Sequence, residues 1–467
     1  MNLKQLFSAK DMTQGPPWKR IAEFAVPMLI GNLAQQLYNT VDTIVVGKYV
    51  GDNALSAVGS AGPVLNLLLA LFVGVSTGAG IVVSQNYGEG DKKKLAESIG
   101  NCITLAAIAS LLTTAVGLLI TTPLLQLLDT PESIIDWSAS YLHIIFLGVI
   151  GAAFYNILSG ILRGMGDSVS ALGFLLVSAV LNIGLDVWFV AGFQMGVDGV
   201  AWATIISQSI SAVLCLIKLL RMRDVFVLSF QDLKLKKTSA LRIIQIGVPS
   251  GITQAIMSVA MLIVQSLTNS MGEMVIAANV IIMRVDGFAM MPNMSFGQAM
   301  SVYAGQNVGA GRIDRVTEGR KQGMLMAVTF STIITIVLLF FSRYLFGIFT
   351  ETEALIELAV KMIRIMAVGY ICIAATQVMS GVMRGAGDTM TPMWISIFNT
   401  IILRMPLAYI LAHFTASELW PNGHPFSLSI SLVASWAAGT LLTAIAFQKG
   451  SWRKKAMAIA EHTAASK

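Results

Sequence analysis

The sequence predicts an all-α polytopic membrane protein in which twelve transmembrane helices form two six-helix bundles related by a pseudo-twofold axis. Three observations support this fold class: the composition is apolar, stretches of membrane-spanning length recur along the chain, and the chain repeats itself. Of the 467 residues, 55% are hydrophobic and 12% are charged, whereas soluble proteins carry about 25% charged residues. This composition excludes a disordered chain and argues against a soluble enzyme.

The predicted transmembrane helices are apolar stretches that each reach the roughly 20 residues needed to cross a bilayer. Strand-like alternation is absent, and a helix satisfies its own backbone hydrogen bonds in lipid. The predicted spans are 21–46, 55–83, 96–121, 137–161, 170–192, 197–219, 241–269, 276–304, 321–346, 356–382, 391–413 and 426–447. The connectors between them leave no room for a soluble domain.

The basic residues predict the orientation of the bundle. With the N-terminus inside the cell, all but six of the 31 lysines and arginines fall in cytoplasmic segments or at the adjoining helix ends. This bias follows the positive-inside rule and predicts a multi-pass protein of the plasma or inner membrane with both termini in the cytoplasm. Basic loops beside anionic lipid headgroups account for the net charge of +6, so we expect no nucleic-acid partner.

An internal repeat relates the two halves of the chain at an offset of about 221 residues. Gln-Asn-Tyr-Gly-Glu-Gly at 85–90 returns as Gln-Asn-Val-Gly-Ala-Gly at 306–311, and Arg-Gly-Met-Gly-Asp at 163–167 returns as Arg-Gly-Ala-Gly-Asp at 384–388. Six spans in each half give both halves the same orientation. Parallel repeats of this kind are a transporter architecture, with the substrate site near the membrane midplane.

The repeat also predicts the domain organisation. We expect an N-terminal six-helix lobe at 1–220, a cytoplasmic linker at 221–240, a C-terminal six-helix lobe at 241–450 and a cytoplasmic tail at 451–467.

The Gln-Asn-x-Gly-x-Gly and Arg-Gly-x-Gly-Asp elements, in this order and in two copies, resemble those of the multidrug and toxic compound extrusion (MATE) family over nearly the whole chain. Further points of resemblance are Ala25-Val26-Pro27 at the start of span one and Asn39-Thr40-Val41-Asp42-Thr43 within it. The resemblance implies a MATE-like fold and a secondary active antiporter. Such a protein exports amphipathic, often cationic, organic compounds in exchange for H⁺ or Na⁺ by alternating access.

Within the family, the sequence is more similar to the DinF-like branch than to the NorM-like branch. Span five carries Asn182 and Asp186, together with Asp42 in span one and Thr204 in span six. The NorM-like branch keeps acidic residues in spans seven and ten, whereas span seven here has none and Glu357 lies at the outer end of span ten. The resemblance therefore places the coupling site in the N-terminal half.

The intramembrane polar residues are candidate functional residues, because an ionisable group at membrane depth costs about 2.5 kcal/mol or more. Asn182 and Asp186 are four residues apart and share a helix face. We expect Asp42, Asn182, Asp186 and Thr204 to converge as a cation-coupling site for a proton or for Na⁺. The alternative for each carboxylate is a buried acid with a purely structural hydrogen bond.

The candidate substrate cavity combines polar side chains with adaptable methionines, which suit a surface that accepts varied ligands. Its predicted residues are Gln35, Tyr38, Asn156, Met257, Met261, Asp286, Met290 and Asn293. Asp286 is expected to form a structural ion pair with Arg404 or Arg284. The alternative is a site for anionic substrate groups or a part of the gate.

Two features have mechanical interpretations. Pro27 removes a backbone hydrogen bond and can kink span one. Since the family resemblance implies that this span bends, Pro27 is a candidate hinge, with a static kink as the alternative. Gly74 and Gly78 form a small-xxx-small pair that predicts close helix packing.

The remaining function classes are disfavoured by what the sequence lacks. The Gln-Asn-x-Gly-x-Gly elements follow no strand and have no P-loop Lys-Ser, so we expect no nucleotide partner. No His-Asp, Cys-His or metal constellation indicates an enzyme, and no cofactor is expected beyond the coupling ion. We expect a monomer in the lipid bilayer with small-molecule amphipathic substrates. A flippase for lipid-linked saccharide precursors and a metabolite exporter of the same superfamily are the rival functions.

Overall fold

The computed structural model describes residues 8–127 and 130–465, and all regular structure in these ranges is helical. The N-terminal half contains α1 Pro17–Tyr49, α2 Asp52–Glu89, α3 Lys92–Leu127, α4 Glu132–Leu147, α5 Val149–Gly164, α6 Ser168–Asp186 with the π-helical segment Val187–Gly192, and α7 Gly196–Arg221. The C-terminal half contains α8 Lys237–Ser270, α9 Glu273–Gly309, α10 Ile313–Gly347, α11 Glu353–Gly385, α12 Met390–Ile397 with the π-helical segment Phe398–Arg404, α13 Met405–Phe414, α14 Phe426–Lys449 and α15 Ser451–Ala465.

The helices have the length and composition of membrane spans. In the described chain, nine spans are long and apolar enough to cross a bilayer, and α4 with α5, bent by 51°, makes a tenth. Polar side chains such as Gln35, Gln36 and Asn39 make α1, with 33 residues, less apolar than these. The prediction of an all-α membrane protein is confirmed.

The turns of the two halves repeat the same backbone geometry. Glycines with positive φ occur at Gly51, Gly90 and Gly166, with φ of 105°, 79° and 83°. Each has a counterpart at the repeat offset, where the glycines at 272, 311 and 387 have φ of 100°, 74° and 83°. Because a side chain strains this left-handed conformation, glycine is required at the same places in both copies. The duplicated sequence therefore folds into a duplicated structure.

The second and fourth spans of each half cross at small residues. A Cβ atom on Gly164 would lie 2.5 Å from the carbonyl oxygen of Gly80, which leaves no space for a side chain. In the C-terminal half, a Cβ atom on Gly385 would meet the carbonyl oxygen of Ser301 in the same way. Both members of the pair match their counterparts at the repeat offset, so the repeat conserves the helix crossing itself.

The predicted close packing at Gly74 and Gly78 is confirmed. Both glycines of α2 face a second pair with the same spacing on α8, Gly247 and Gly251. A Cβ atom on Gly78 would lie 2.7 Å from the Cα atom of Gly247. Backbone meets backbone here, as in small-xxx-small contacts between membrane helices.

The chain divides into two compact units. Of the described residues, one unit contains 8–11 and 26–252, and the other contains 12–25 and 253–465. The divisions therefore fall before α1, between residues 11 and 12, within α1, next to Pro27, and within α8, shortly after Pro249. The predicted lobe boundaries at 220 and 241 concern the repeated sequence and stay a prediction.

The C-terminal helix α15 is anchored to the loop that follows α11. Ser451 Oγ and Lys455 Nζ donate hydrogen bonds to Asp388 at 2.6 and 2.8 Å, and Trp452 is fully buried. Burial raises the pKa of Asp388, but the hydrogen bonds from Lys455, Ser451 and Thr391 outweigh it and hold the pKa below its ordinary value. The described part of the predicted tail is thus a packed helix.

Candidate functional site

The N-terminal half holds two carboxyl groups that face each other, Asp42 on α1 and Asp186 at the end of α6; we call them the acidic pair. Their side chains lie within hydrogen-bonding range of one another. Asp186 is 0% exposed. One oxygen of each carboxyl, Oδ1, is buried and has no hydrogen-bond partner in the described parts of the chain. Unsatisfied oxygens on two facing acids make a site for a positive charge.

Asn182 and Thr204 complete this arrangement. The hydrogen-bond network fixes the Asn182 amide so that Nδ2 donates to Asp186 Oδ2 at 2.8 Å and Oδ1 accepts from the Thr204 backbone N–H at 3.3 Å. The Tyr38 hydroxyl lies within hydrogen-bonding range of Thr204. The structure thus brings together the four residues of the predicted cation-coupling site and adds Tyr38, which the sequence assigned to the cavity.

Tyr141 on α4 borders the acidic pair, although the sequence does not single it out. It is 5% exposed, and both Asp42 and Asp186 are close enough to act on it electrostatically. The feature of the sequence that could have identified Tyr141 is a hydroxyl group within an apolar span. Since Tyr155 in the same predicted span gives the same signal, sequence alone cannot select Tyr141.

A π-helical segment begins immediately after Asp186. In Val187–Gly192 the helix widens to one extra residue per hydrogen bond, as in the bond from Phe193 N to Trp188 O at 3.1 Å. Such segments are rare and occur frequently at functional sites. Span five of the N-terminal half therefore changes its backbone geometry at its one charged residue.

The C-terminal half holds a different polar cluster, formed by Asp286, Asn293, Tyr370 and Arg404; we call it the mixed-charge cluster. The Tyr370 hydroxyl on α11 donates to Asp286 Oδ1 on α9 at 2.6 Å, and Asn293 Nδ2 lies 3.5 Å from the Tyr370 carbonyl oxygen. The Tyr370 ring packs on Trp436, with centroids 5.6 Å apart. Arg404 is the last residue of the second π-helical segment.

The expected ion pair of Asp286 is not formed among the described residues. Arg404 is close enough to stabilise Asp286 electrostatically, yet the ion pairs found in those residues include neither Arg404 nor Arg284. Arg284 is exposed on α9. The Tyr370 hydroxyl satisfies Asp286 from a neighbouring helix, a contact that spacing along α9 alone does not reveal.

The other predicted cavity residues do not take part in either cluster. Gln35 Nε2 donates to Asn39 Oδ1 at 3.4 Å, and Asn156 Nδ2 donates to the Ala152 carbonyl at 2.8 Å, each within its own helix. Three methionines complete the set: Met257 is 46% exposed, Met261 is 51% exposed, and Met290 packs partly buried against the C-terminal core. The substrate cavity and the hinge role of Pro27 stay predictions.

The predicted Na⁺ site has too few carboxylates to resemble an ordinary metal centre. Among the described residues, no group of three or more His, Cys, Asp and Glu side chains is placed to hold a metal ion. The predicted site has only two carboxylates, and its remaining ligands would be amide and hydroxyl oxygens. A Na⁺ ion at Asp42, Asn182, Asp186 and Thr204 therefore stays a prediction.

Comparisons with known proteins agree with this architecture. The chain is 29% identical over 428 residues to a probable multidrug resistance protein, YoeA, of Bacillus subtilis (strain 168), and the match covers 89% of this chain and 92% of that protein. It is 28% identical to YpnP of the same organism, also a probable multidrug resistance protein, over 95% of this chain and 98% of that one.

Solved structures share the fold. A crystal structure of MATE in complex with MaL6 superposes with a TM-score of 0.87, at 23% identity, and covers 95% of this chain and 99% of its own. The profile of the MatE family matches residues 27–188 and 249–410, one copy in each half. The protein therefore belongs to the MatE family of multidrug and toxic compound extrusion transporters.

Proposed function

We propose that the protein is a secondary active multidrug efflux antiporter that exports amphipathic, often cationic, organic compounds in exchange for H⁺ or Na⁺. The curated relatives described as probable multidrug resistance proteins support the substrate class. The acidic pair is the observation that carries the coupling. The protein would act in the cell membrane, with both termini in the cytoplasm, as a monomer whose partners are small molecules and lipid.

The coupling follows from the electrostatics of two facing carboxyl groups. Two negative charges side by side away from water repel strongly, so the pair is stable only when it binds a positive charge. A proton shared between the carboxyls fits their direct approach and satisfies an otherwise unpaired oxygen. Na⁺ is the alternative, because the Asn182 and Thr204 oxygens could join the carboxylates around it.

Export requires that the ion prefer one conformation over the other. A ligand shifts a conformational equilibrium only by the difference of its affinities for the two states. The acidic pair spans α1 and α6, so ion uptake draws these helices together and ion release frees them. Drug affinity then falls as the ion binds from outside and recovers as the ion leaves inside.

Pro27 is suited to act as the hinge of this movement. It lies in α1 on the same helix as Asp42 and removes one hydrogen bond from the helix interior. Two solved relatives are described as MATE in the straight and in the bent conformation, and a third as a mutant in which alanine replaces a proline. These descriptions support helix bending as the transmitted signal in this chain.

The test is export of a fluorescent cationic dye from proteoliposomes under a pH gradient or a Na⁺ gradient imposed separately. Wild type should export under one gradient, which names the ion. Asp42→Asn should lose gradient-driven export while still binding dye in detergent, which shows that it is folded. Export by Asp42→Asn at the wild-type rate would refute the coupling site. Wild type that exports no dye under either gradient would instead favour a lipid-linked or metabolite substrate.

A further inference from the structure

Arg404 is a charged residue in the middle of a membrane span, and no acidic side chain in the described part of the chain forms an ion pair with it. It lies just past the midpoint of the span Met390–Phe414. In the described chain its guanidinium donates no hydrogen bond and makes no ion pair, and Asp286 acts on it only through electrostatics. A cation at this depth costs about 2.5 kcal/mol or more and is rarely left without a role. An unfilled partner position beside Arg404 calls for an anion.

The members of the mixed-charge cluster lie at similar depth. The depth of Asp286 is measured along its helix from the start of α9 at Glu273. The depth of Tyr370 is measured from the start of α11 at Glu353, and that of Arg404 from the end of α13 at Phe414. These three helix ends lie on the same side of the membrane, because consecutive spans alternate in direction. At about 1.5 Å per residue the three side chains lie roughly 15–25 Å below those ends. All three side chains therefore lie within the depth of the membrane, and the hydrogen bond from Tyr370 and the nearby charge of Arg404 join them at Asp286.

The chemistry of this layer is that of a receptor for a dipolar molecule. A guanidinium presents a planar fork of N–H donors that matches a carboxylate. Asp286 is fixed by the Tyr370 hydroxyl at 2.6 Å and remains partly exposed, so it can accept a positively charged group. Trp436, packed on Tyr370 and partly buried, adds an aromatic wall for a flat ring.

We propose that Arg404 and Asp286, the latter positioned by Tyr370, form a subsite for zwitterionic amphipathic substrates, in which Arg404 binds the substrate carboxylate and Asp286 binds its cationic group. The subsite rests on the proposed export function and defines its substrate class more narrowly. The π-helical segment that ends at Arg404 supports the assignment, because such segments widen a helix at functional positions. In the N-terminal half a π-helical segment at a different repeat position begins immediately after Asp186 of the acidic pair.

The test uses two dyes that differ only in the carboxylate: rhodamine 110, a zwitterion, and its methyl ester rhodamine 123, a cation. Binding to purified protein is measured by fluorescence polarisation for wild type, Arg404→Gln and the matched control Arg284→Gln. Arg404→Gln should weaken rhodamine 110 binding by about tenfold or more, the value of one charge-assisted hydrogen bond. Rhodamine 123 should bind within about twofold of wild type. Arg284→Gln makes the same charge change at an exposed position and should alter neither dye.

A second variant and a second readout keep a structural role distinguishable from a binding role. Arg404→Lys keeps the charge without the fork and should bind rhodamine 110 with intermediate affinity. Equal losses for both dyes in Arg404→Gln, or no loss for either, would overturn the subsite. Dye discrimination that depends on Arg404 in a protein that exports neither dye would keep the subsite and refute the antiporter. Gradient-driven export of rhodamine 123, with no dye preference that depends on Arg404, would support the antiporter and refute the subsite.

Discussion

In the N-terminal half two carboxyl groups face each other, whereas in the C-terminal half one carboxylate lies near an arginine and accepts a tyrosine hydroxyl. With both carboxyls ionised, the first arrangement would hold two like charges, and the proposed coupling ion is what would neutralise them. The second brings one acidic and one basic group near each other, and the acidic group is already held by a tyrosine hydroxyl. The comparison shows that one duplicated scaffold holds two different arrangements of charge, to which the proposals above assign an ion and a substrate.

In the fifth span of each half, the difference between the two clusters comes from single residues at equivalent positions of the repeat. Asp186 of the N-terminal half corresponds to Leu407 in the repeat, and Arg404 corresponds to Ile183. Each half carries a π-helical segment, but at different repeat positions, 187–192 in one copy and 398–404 in the other. In each copy the segment adjoins the charged residue. The backbone distortion therefore follows the charge and not the repeat.

The largest expected effect tests the division of roles between the two carboxylates Asp186 and Asp286. Asp186→Asn should reduce gradient-driven export of both rhodamines to background, because the remaining single carboxyl no longer forms a facing pair. Asp286→Asn should weaken the binding of both dyes, because both carry the cationic group that Asp286 contacts, but it should leave the export that remains coupled to the gradient. Initial export rates from proteoliposomes measure both. If Asp286→Asn uncoupled export as fully as Asp186→Asn, the assignment of coupling to the N-terminal half would be wrong.

A second prediction tests what the halves share. Gly164→Ala and Gly385→Ala each place a methyl group against the carbonyl oxygen of a crossing helix, so both should destabilise the protein by about 1–3 kcal/mol. Gly59 and Gly287 lie on the same pairs of spans with nothing within 4 Å of an added Cβ atom. Alanine at those controls should leave the melting temperature unchanged or raise it, since alanine favours a helix.

Unequal losses from Gly164→Ala and Gly385→Ala would show that the two crossings, though equal in geometry, differ in their ability to adjust. Thermal unfolding in detergent, followed by the fluorescence of the tryptophans, measures the four variants under one condition. Equal losses would confirm that the halves differ in their polar clusters and not in their framework.

The fold could be predicted from the sequence because burial in lipid imposes long apolar helices, and the duplication fixes their number. The resemblance to the MATE family named Asp42, Asn182, Asp186 and Thr204 together, and spacing added only that Asn182 and Asp186 share one helix face. Contacts between helices could not be predicted. The hydrogen bond from Tyr370 to Asp286 joins residues 84 apart, and nothing in either helix specifies its neighbour. The π-helical segments could not be predicted either, because their hydrogen-bond register depends on packing.

The smallest expected effect compares the aspartates that end the two Arg-Gly-x-Gly-Asp elements. Asp388 holds Ser451 and Lys455 of α15, whereas Asp167 caps α6 through Ser170 N at 2.9 Å. The hydrogen bonds that Asp388 accepts hold its pKa below the ordinary value of about 3.9. A group with a lowered pKa stabilises the fold above its ordinary pKa and loses that contribution as the pH falls through the folded value.

Asp388→Asn should therefore lower the free energy of unfolding by about 1 kcal/mol near neutral pH, because Lys455 is half exposed and its charge is partly screened. The difference in the free energy of unfolding between Asp388→Asn and wild type should stay constant between roughly pH 5 and 8, because the Asp388 carboxyl is already ionised there. The difference should shrink below about pH 4. Asp167→Asn is the matched control, since it removes the same charge from the equivalent element but keeps an N-cap oxygen for Ser170 and concerns Lys218 of α7 rather than α15. Limited proteolysis after residue 450 distinguishes the two variants, because only Asp388→Asn loosens the C-terminal helix. Equal protection of α15 in both variants would show that Trp452 and its burial, not Asp388, anchor that helix.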